Sequence, residues 1–140
     1  MFSREESRKL RAEFWTAFGK SYPRKWMLYK TGQKELAFKF HFDLKKAMVI
    51  MDVEGSLESR ISIWEKLISL KSILQDEYLP EAIFEDYYLL ENQKEISRIY
   101  VQKTNVSIHD KSTWQEAMEF LSSKMSKFEA FFIEFEDIIE

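Results

Sequence analysis

Leu36-Ala37-Phe38-Lys39-Phe40-His41-Phe42-Asp43 is the stretch whose reading decides the fold. Leu36 and three phenylalanines alternate with Ala37, Lys39, His41 and Asp43, the period of two expected of a strand with one buried face. After a tight turn over residues 44–46, residues 47–54 are apolar on both faces through Met51, which marks a more central strand. On the amino-terminal side, residues 26–30 read as a further short strand, and Thr31-Gly32-Gln33-Lys34 as the turn that joins it.

Helices flank this β-rich centre. Ser3 and Glu6 have the spacing of a capping box, and Leu10, Phe14, Ala17 and Phe18 then recur at helical intervals, with Gly19 as the stop. Gly55 and Ser56 open a second helix with two apolar rows, Leu57-Ile61-Trp64-Ile68 and Ile63-Leu67-Leu70-Leu74, ended by Pro80. Strands follow at residues 83–91 and 95–103, joined by a turn near Asn92 and Gln93. Ser112 and Gln115 repeat the capping-box spacing before a last helix carrying Trp114, Ala117, Leu121, Met125, Phe128, Phe132, Phe135 and Ile139. The expectation is a single α+β domain over residues 1–140, in the order α-β-β-β-α-β-β-α. Its mostly antiparallel five-stranded sheet would pack with three helices.

Composition narrows the function classes. With 45% apolar and 32% charged residues in 140, neither a disordered chain nor a membrane protein fits. The absence of cysteine removes disulfides, thiolate metal sites and cysteine nucleophiles, and two histidines with three glycines leave few parts for metal, triad or phosphate-loop chemistry. No cofactor is expected. The charged first residues lack the apolar stretch of a secretory signal, and no window reaches the roughly 18 apolar residues of a membrane span, so a cytoplasmic location is expected.

Charge is divided unevenly along the chain. Residues 1–46 hold 12 Lys and Arg against 5 Asp and Glu, net +7, whereas residues 47–140 hold 9 against 19, net -10. Within the basic part, Lys20, Arg24, Lys25, Lys30 and Lys34 surround Tyr22, Trp26 and Tyr29. Interleaved cations and aromatic rings suit contact with nucleic acid, because ammonium groups displace phosphate counterions and rings stack on bases. They equally suit an acidic protein, or an edge strand that lysines keep solvated. The candidate contact residues are Lys20, Arg24, Lys25, Trp26, Tyr29, Lys30 and Lys34.

Other charged groups carry weaker signals. His41 and Asp43 share a strand face, as an acid–base pair would, and His109 sits beside Asp110 in a polar loop. Asp52 and Glu54 stand on one face at a strand end, an arrangement that metal-dependent nucleases use, with Lys45 or Lys39 as the accompanying lysine. The Glu-x-Lys spacing of restriction nucleases is missing there. No catalytic residue and no metal site is assigned. Arg98 interrupts an apolar strand, and Asp86 on the partner strand is its expected ion-pair partner.

Phe14-Trp15, the strand-to-helix passage from Asp52 to Leu67, the Ser97-Arg98-Ile99 triplet and Trp114 together resemble a bacterial family of domains of unknown function. Members of that family are often found C-terminal to predicted restriction-endonuclease-like nuclease domains. The resemblance implies an accessory role in DNA metabolism or defence and transfers no catalytic residue. The leading reading is a non-catalytic interaction module for nucleic acid or an acidic protein. The rivals are a divalent-metal phosphodiesterase and a structural homo-oligomer held by the last helix, whose surplus apolar residues Phe120, Phe131 and Ile138 leave room for a homodimer interface in either case.

Overall fold

Ser3 accepts the Glu6 N–H while the Glu6 carboxylate accepts that of Ser3, so helix α1 (Arg4–Ser21) starts on a complete capping box. It runs past Gly19, which is exposed and meets no neighbour. The computed structural model describes residues 2–140. After α1 come strands β1 (Leu36–Phe42) and β2 (Lys46–Val53), helices α2 (Leu57–Ser69) and α3 (Lys71–Ile73), and a π-helical turn (Leu74–Tyr78). Strands β3 (Ile83–Leu89) and β4 (Glu95–Thr104), a 3-10 turn (Lys111–Thr113) and helix α4 (Trp114–Ile139) complete the chain.

The strands form one antiparallel sheet in the order β1-β2-β4-β3. Leu36, Phe38 and Phe42 of β1 share one face with Val49, Met51 and Val53 of β2 and with Ile99 and Val101 of β4. Against that face lie Phe14 and Phe18 of α1, Ile63, Trp64 and Leu67 of α2, and Leu121, Met125, Phe128 and Phe132 of α4. Each of these large side chains contributes about 1.5–3 kcal/mol by leaving water. The opposite face carries a separate small cluster, Met48, Ile50 and Tyr100, beside a row of charges. Among the described residues, no helix is long and apolar enough to cross a membrane.

The α+β class and the antiparallel pairing hold, but among the described residues there are four strands in the sheet and four helices, where five and three are expected from sequence. Residues 26–30 form a turn instead of a strand. Leu28 takes a positive φ of 45°, Lys30 N–H bonds back to Met27 O (2.8 Å), and a single backbone bond, Phe38 N–H to Leu28 O (3.0 Å), joins the segment to β1. A positive φ on a branched residue is incompatible with a continuing ladder. The extra helix arises at Leu70, whose φ/ψ of -102°/4° breaks the second helix. The redirected chain then buries Leu70, Leu74 and Leu79, while Leu57, Ile61 and Ile68 of the other expected row stay exposed.

The second capping box does not form. Asp110 accepts the Ser112 N–H (3.0 Å) and opens the 3-10 turn, so α4 begins one residue later than a Ser112 cap would allow.

Candidate interaction surface along the first strand

The segment between α1 and β1 contains most of the candidate contact residues, and two of them are anchors. The Glu129 carboxylate of α4, almost fully buried, pairs with the Arg24 guanidinium and accepts the Met27 N–H at 2.7 Å. Arg24 also lies 4.0 Å above the Trp26 ring, which packs edge-on to Phe40 at 5.4 Å and parallel to Phe18 at 6.1 Å. Pairing with the buried Glu129 carboxylate and aromatic packing thus hold Arg24 and Trp26 against the body of the domain. The downstream end is tied by the buried Thr31 hydroxyl, which donates to Leu36 O (2.8 Å) and accepts the Gln33 N–H (3.2 Å).

The remaining candidates point to solvent. Lys20, Lys25, Lys30 and Lys34 are exposed, and Tyr29 is 71% exposed. None of these lysines has an acidic partner among the described residues. Residues 20–34 include no Asp or Glu, and among the described residues the one ion pair made by this segment is Glu129 on Arg24. Lys25 through Lys34 lie on the anchored segment, and Lys20 sits one turn earlier, on the outer side of α1.

Beside the segment, Trp15, Leu28, Tyr29, Phe38, Lys39 and Phe40 line an open, mostly apolar groove of about 360 Å³. No pattern in the sequence marks this groove. The positive φ of Leu28 brings its carbonyl to β1 and turns the following residues away, and no local periodicity signals such a bend.

On the sheet face opposite the helices, Asp52 is the centre of a charge network. Arg98 binds it through two nitrogens (2.7 and 3.0 Å) and Lys39 through Nζ (3.0 Å), while Asp52 itself is 0% exposed. Lys39 bridges onward to Glu54 (3.1 Å), and Lys94 reaches the other Glu54 oxygen (2.8 Å). Arg98 therefore pairs with Asp52, not Asp86. A bulge between Glu85 and Tyr88 takes Asp86 out of the β3–β4 register and leaves it exposed, while Tyr88 moves under the guanidinium at 4.1 Å.

Burial opposes the charge on Lys39, but the hydrogen bonds and charges of Asp52 and Glu54 outweigh it and hold the ammonium above its ordinary range. Arg98 is raised in the same way, with burial opposed by Asp52 and Tyr88. For Glu54, burial is opposed by Lys94 and Lys39, which hold the carboxyl below its ordinary range. The two carboxylates weighed as metal ligands thus do converge, but on three cations. A divalent ion there would meet neutralised oxygens and positive neighbours. Among the described residues, no group of three His, Asp or Glu has the arrangement of a metal site.

The histidines are placed locally. His41 Nε2 and Asp43 Oδ2 are 2.7 Å apart, and Asp43 Oδ1 accepts the N–H groups of Lys45 and Lys46, which closes the β1–β2 turn. His109 meets the Ser7 hydroxyl (2.6 Å) and packs at a tilt against the Phe2 ring (4.3 Å), tying the start of α1 to the loop before α4. The apolar surplus of α4 goes largely inward. Phe131 is buried against Tyr78 and Phe135, Phe120 is half-buried, and Ile133 and Ile138 remain exposed.

No curated protein and no solved structure matches the chain significantly. A family of domains does: residues 10–136 match the domain of unknown function DUF4268, and the chain belongs to that family.

Proposed function

We propose that this domain is a non-catalytic cytoplasmic interaction module, with the anchored basic segment from Lys20 to Lys34 as its contact surface for an anionic partner, nucleic acid or acidic protein. One observation carries the reading: exposed lysines without acidic partners stand on a segment whose other cation and aromatic ring are fixed from beneath by Glu129, Phe18 and Phe40. A solvating fringe of lysines needs no such foundation. A surface that must present charge in a set geometry does, because preorganised groups lose less entropy on binding. The resemblance to domains that accompany predicted nucleases supports a place in bacterial DNA metabolism or defence.

Anisotropy titrations with labelled single-stranded DNA and a labelled acidic peptide test the reading. Binding should weaken about tenfold or more between about 50 and about 200 mM salt, and Lys30→Glu with Lys34→Glu should weaken it at least as much. Equal binding by the native and charge-reversed proteins would overturn the assignment. Cleavage of the DNA dependent on Mg²⁺ would revive a phosphodiesterase instead.

A further inference from the structure

β1 is an edge strand, and its outer side is only half covered. Its register with β2, together with the Phe38 N–H turned outward to Leu28 O, places the N–H and C=O of Leu36, Phe38 and Phe40 on that outer side. Leu36 is satisfied by Gln33 O (3.2 Å) and by the Thr31 hydroxyl, and Phe38 N–H by Leu28. Beyond that point the segment leaves. Phe38 is fully buried, but Phe40 is half-buried, and no residue among those described bonds either of its backbone groups from outside. The open groove lies at this place, with three consecutive β1 residues, Phe38 to Phe40, in its wall.

The other edge differs. β3 is broken by its bulge and carries Glu85 and Asp86, two devices that discourage strand addition. β1 has an unbroken register and an apolar groove, with unpaired Lys30 and Lys34 on the adjoining segment.

We infer that β1 accepts an added strand where the covering segment ends: an extended acidic peptide pairs with the free backbone of Phe40, places alternate side chains in the groove beside Trp15 and Leu28, and sets carboxylates against Lys30 and Lys34. Main-chain pairing supplies affinity and the groove and lysines supply selectivity, as in other strand-addition sites. This inference rests on the reading of the basic segment as a contact surface. A nucleic acid has no peptide ladder to match the edge. A second copy pairing β1 with β1 would bring two cationic segments face to face, which electrostatics opposes.

The test uses a labelled peptide of alternating glutamate and valine, with two derivatives N-methylated at every valine or at every glutamate. One derivative blocks each edge of the peptide without changing its charge. The parent peptide should bind the native protein, and at least one derivative should lose about tenfold or more. Exchange of the Phe40 amide should slow at least about tenfold in the complex, as a newly bonded edge amide requires. Lys30→Glu with Lys34→Glu should abolish parent binding. If both derivatives bind like the parent, or Phe40 exchanges unchanged, strand addition is wrong while the charged contact surface stands. Strand addition is equally wrong if single-stranded DNA binds the basic segment and the parent peptide does not. If neither peptide nor DNA binds, both proposals fall.

Discussion

Asp52 shows how much one residue can decide when it is fully buried among cations. Its oxygens compensate Arg98 and Lys39 together, on a face that no main-core residue shares. Asp52→Asn leaves the buried Arg98 guanidinium without a counter-charge and Lys39 with Glu54 alone, and should cost about 3–5 kcal/mol in urea unfolding, whereas replacing Asp52 and Arg98 together by Leu and Met should cost less. A double variant as unstable as the single one would contradict the network. The same groups set the pH response. The folded values of Glu54 and Asp43 lie below their ordinary 4.5 and 3.8, so their stabilisation is present above those values and lost as the pH falls through the lower folded ones. The folded value of Lys39 lies above 10.5, so its contribution is complete below that value and disappears as the pH rises through the higher one. The urea midpoint should therefore be flat from about pH 6 to pH 9 and fall on both sides. A midpoint that changes steeply inside that range would place the governing titration elsewhere.

At the scale of elements, the segment between α1 and β1 is held by Glu129 more than by its own backbone. Glu129→Ala removes the Arg24 pair and the acceptor of the Met27 N–H. The expected loss is about 1.5–3 kcal/mol, with faster exchange of the Met27 amide. Unchanged exchange there would mean that Trp26 packing alone fixes the segment. This element is also where the sequence is least able to show the fold. The alternation from Leu36 to Phe42 and the two-sided apolar run of β2 are local patterns, and both strands form where the patterns lie. Trp26 to Lys30 has strand-like composition, but its conformation is set from a distance by Glu129 and by the bend at Leu28, and no periodicity encodes either. The pairing of Arg98 escapes the sequence for a related reason. The neighbouring strand in sequence is β3, but the strand that supplies the carboxylate is β2, brought alongside only by the β1-β2-β4-β3 order.

For the whole molecule, the uneven charge of the sequence is partly spent inside the fold. Arg24 and Lys39, from the basic part, pair with Glu129, Asp52 and Glu54, from the acidic part. Within the cluster legible in the sequence, Lys20, Lys25, Lys30 and Lys34 have no acidic partner among the described residues, so the cluster separates in three dimensions into anchors and free cations. The distinction between those two groups required the fold. The most direct measurement is a map of backbone amide chemical shifts as an acidic peptide of alternating glutamate and valine is titrated in. Changes concentrated on residues 25–34 and on Phe38 to Phe40, and absent from Lys30→Glu/Lys34→Glu, are the predicted result. Changes centred on the exposed α2 row of Leu57, Ile61 and Ile68, or on the Asp52 network, would contradict it and move the contact surface to another face of the domain.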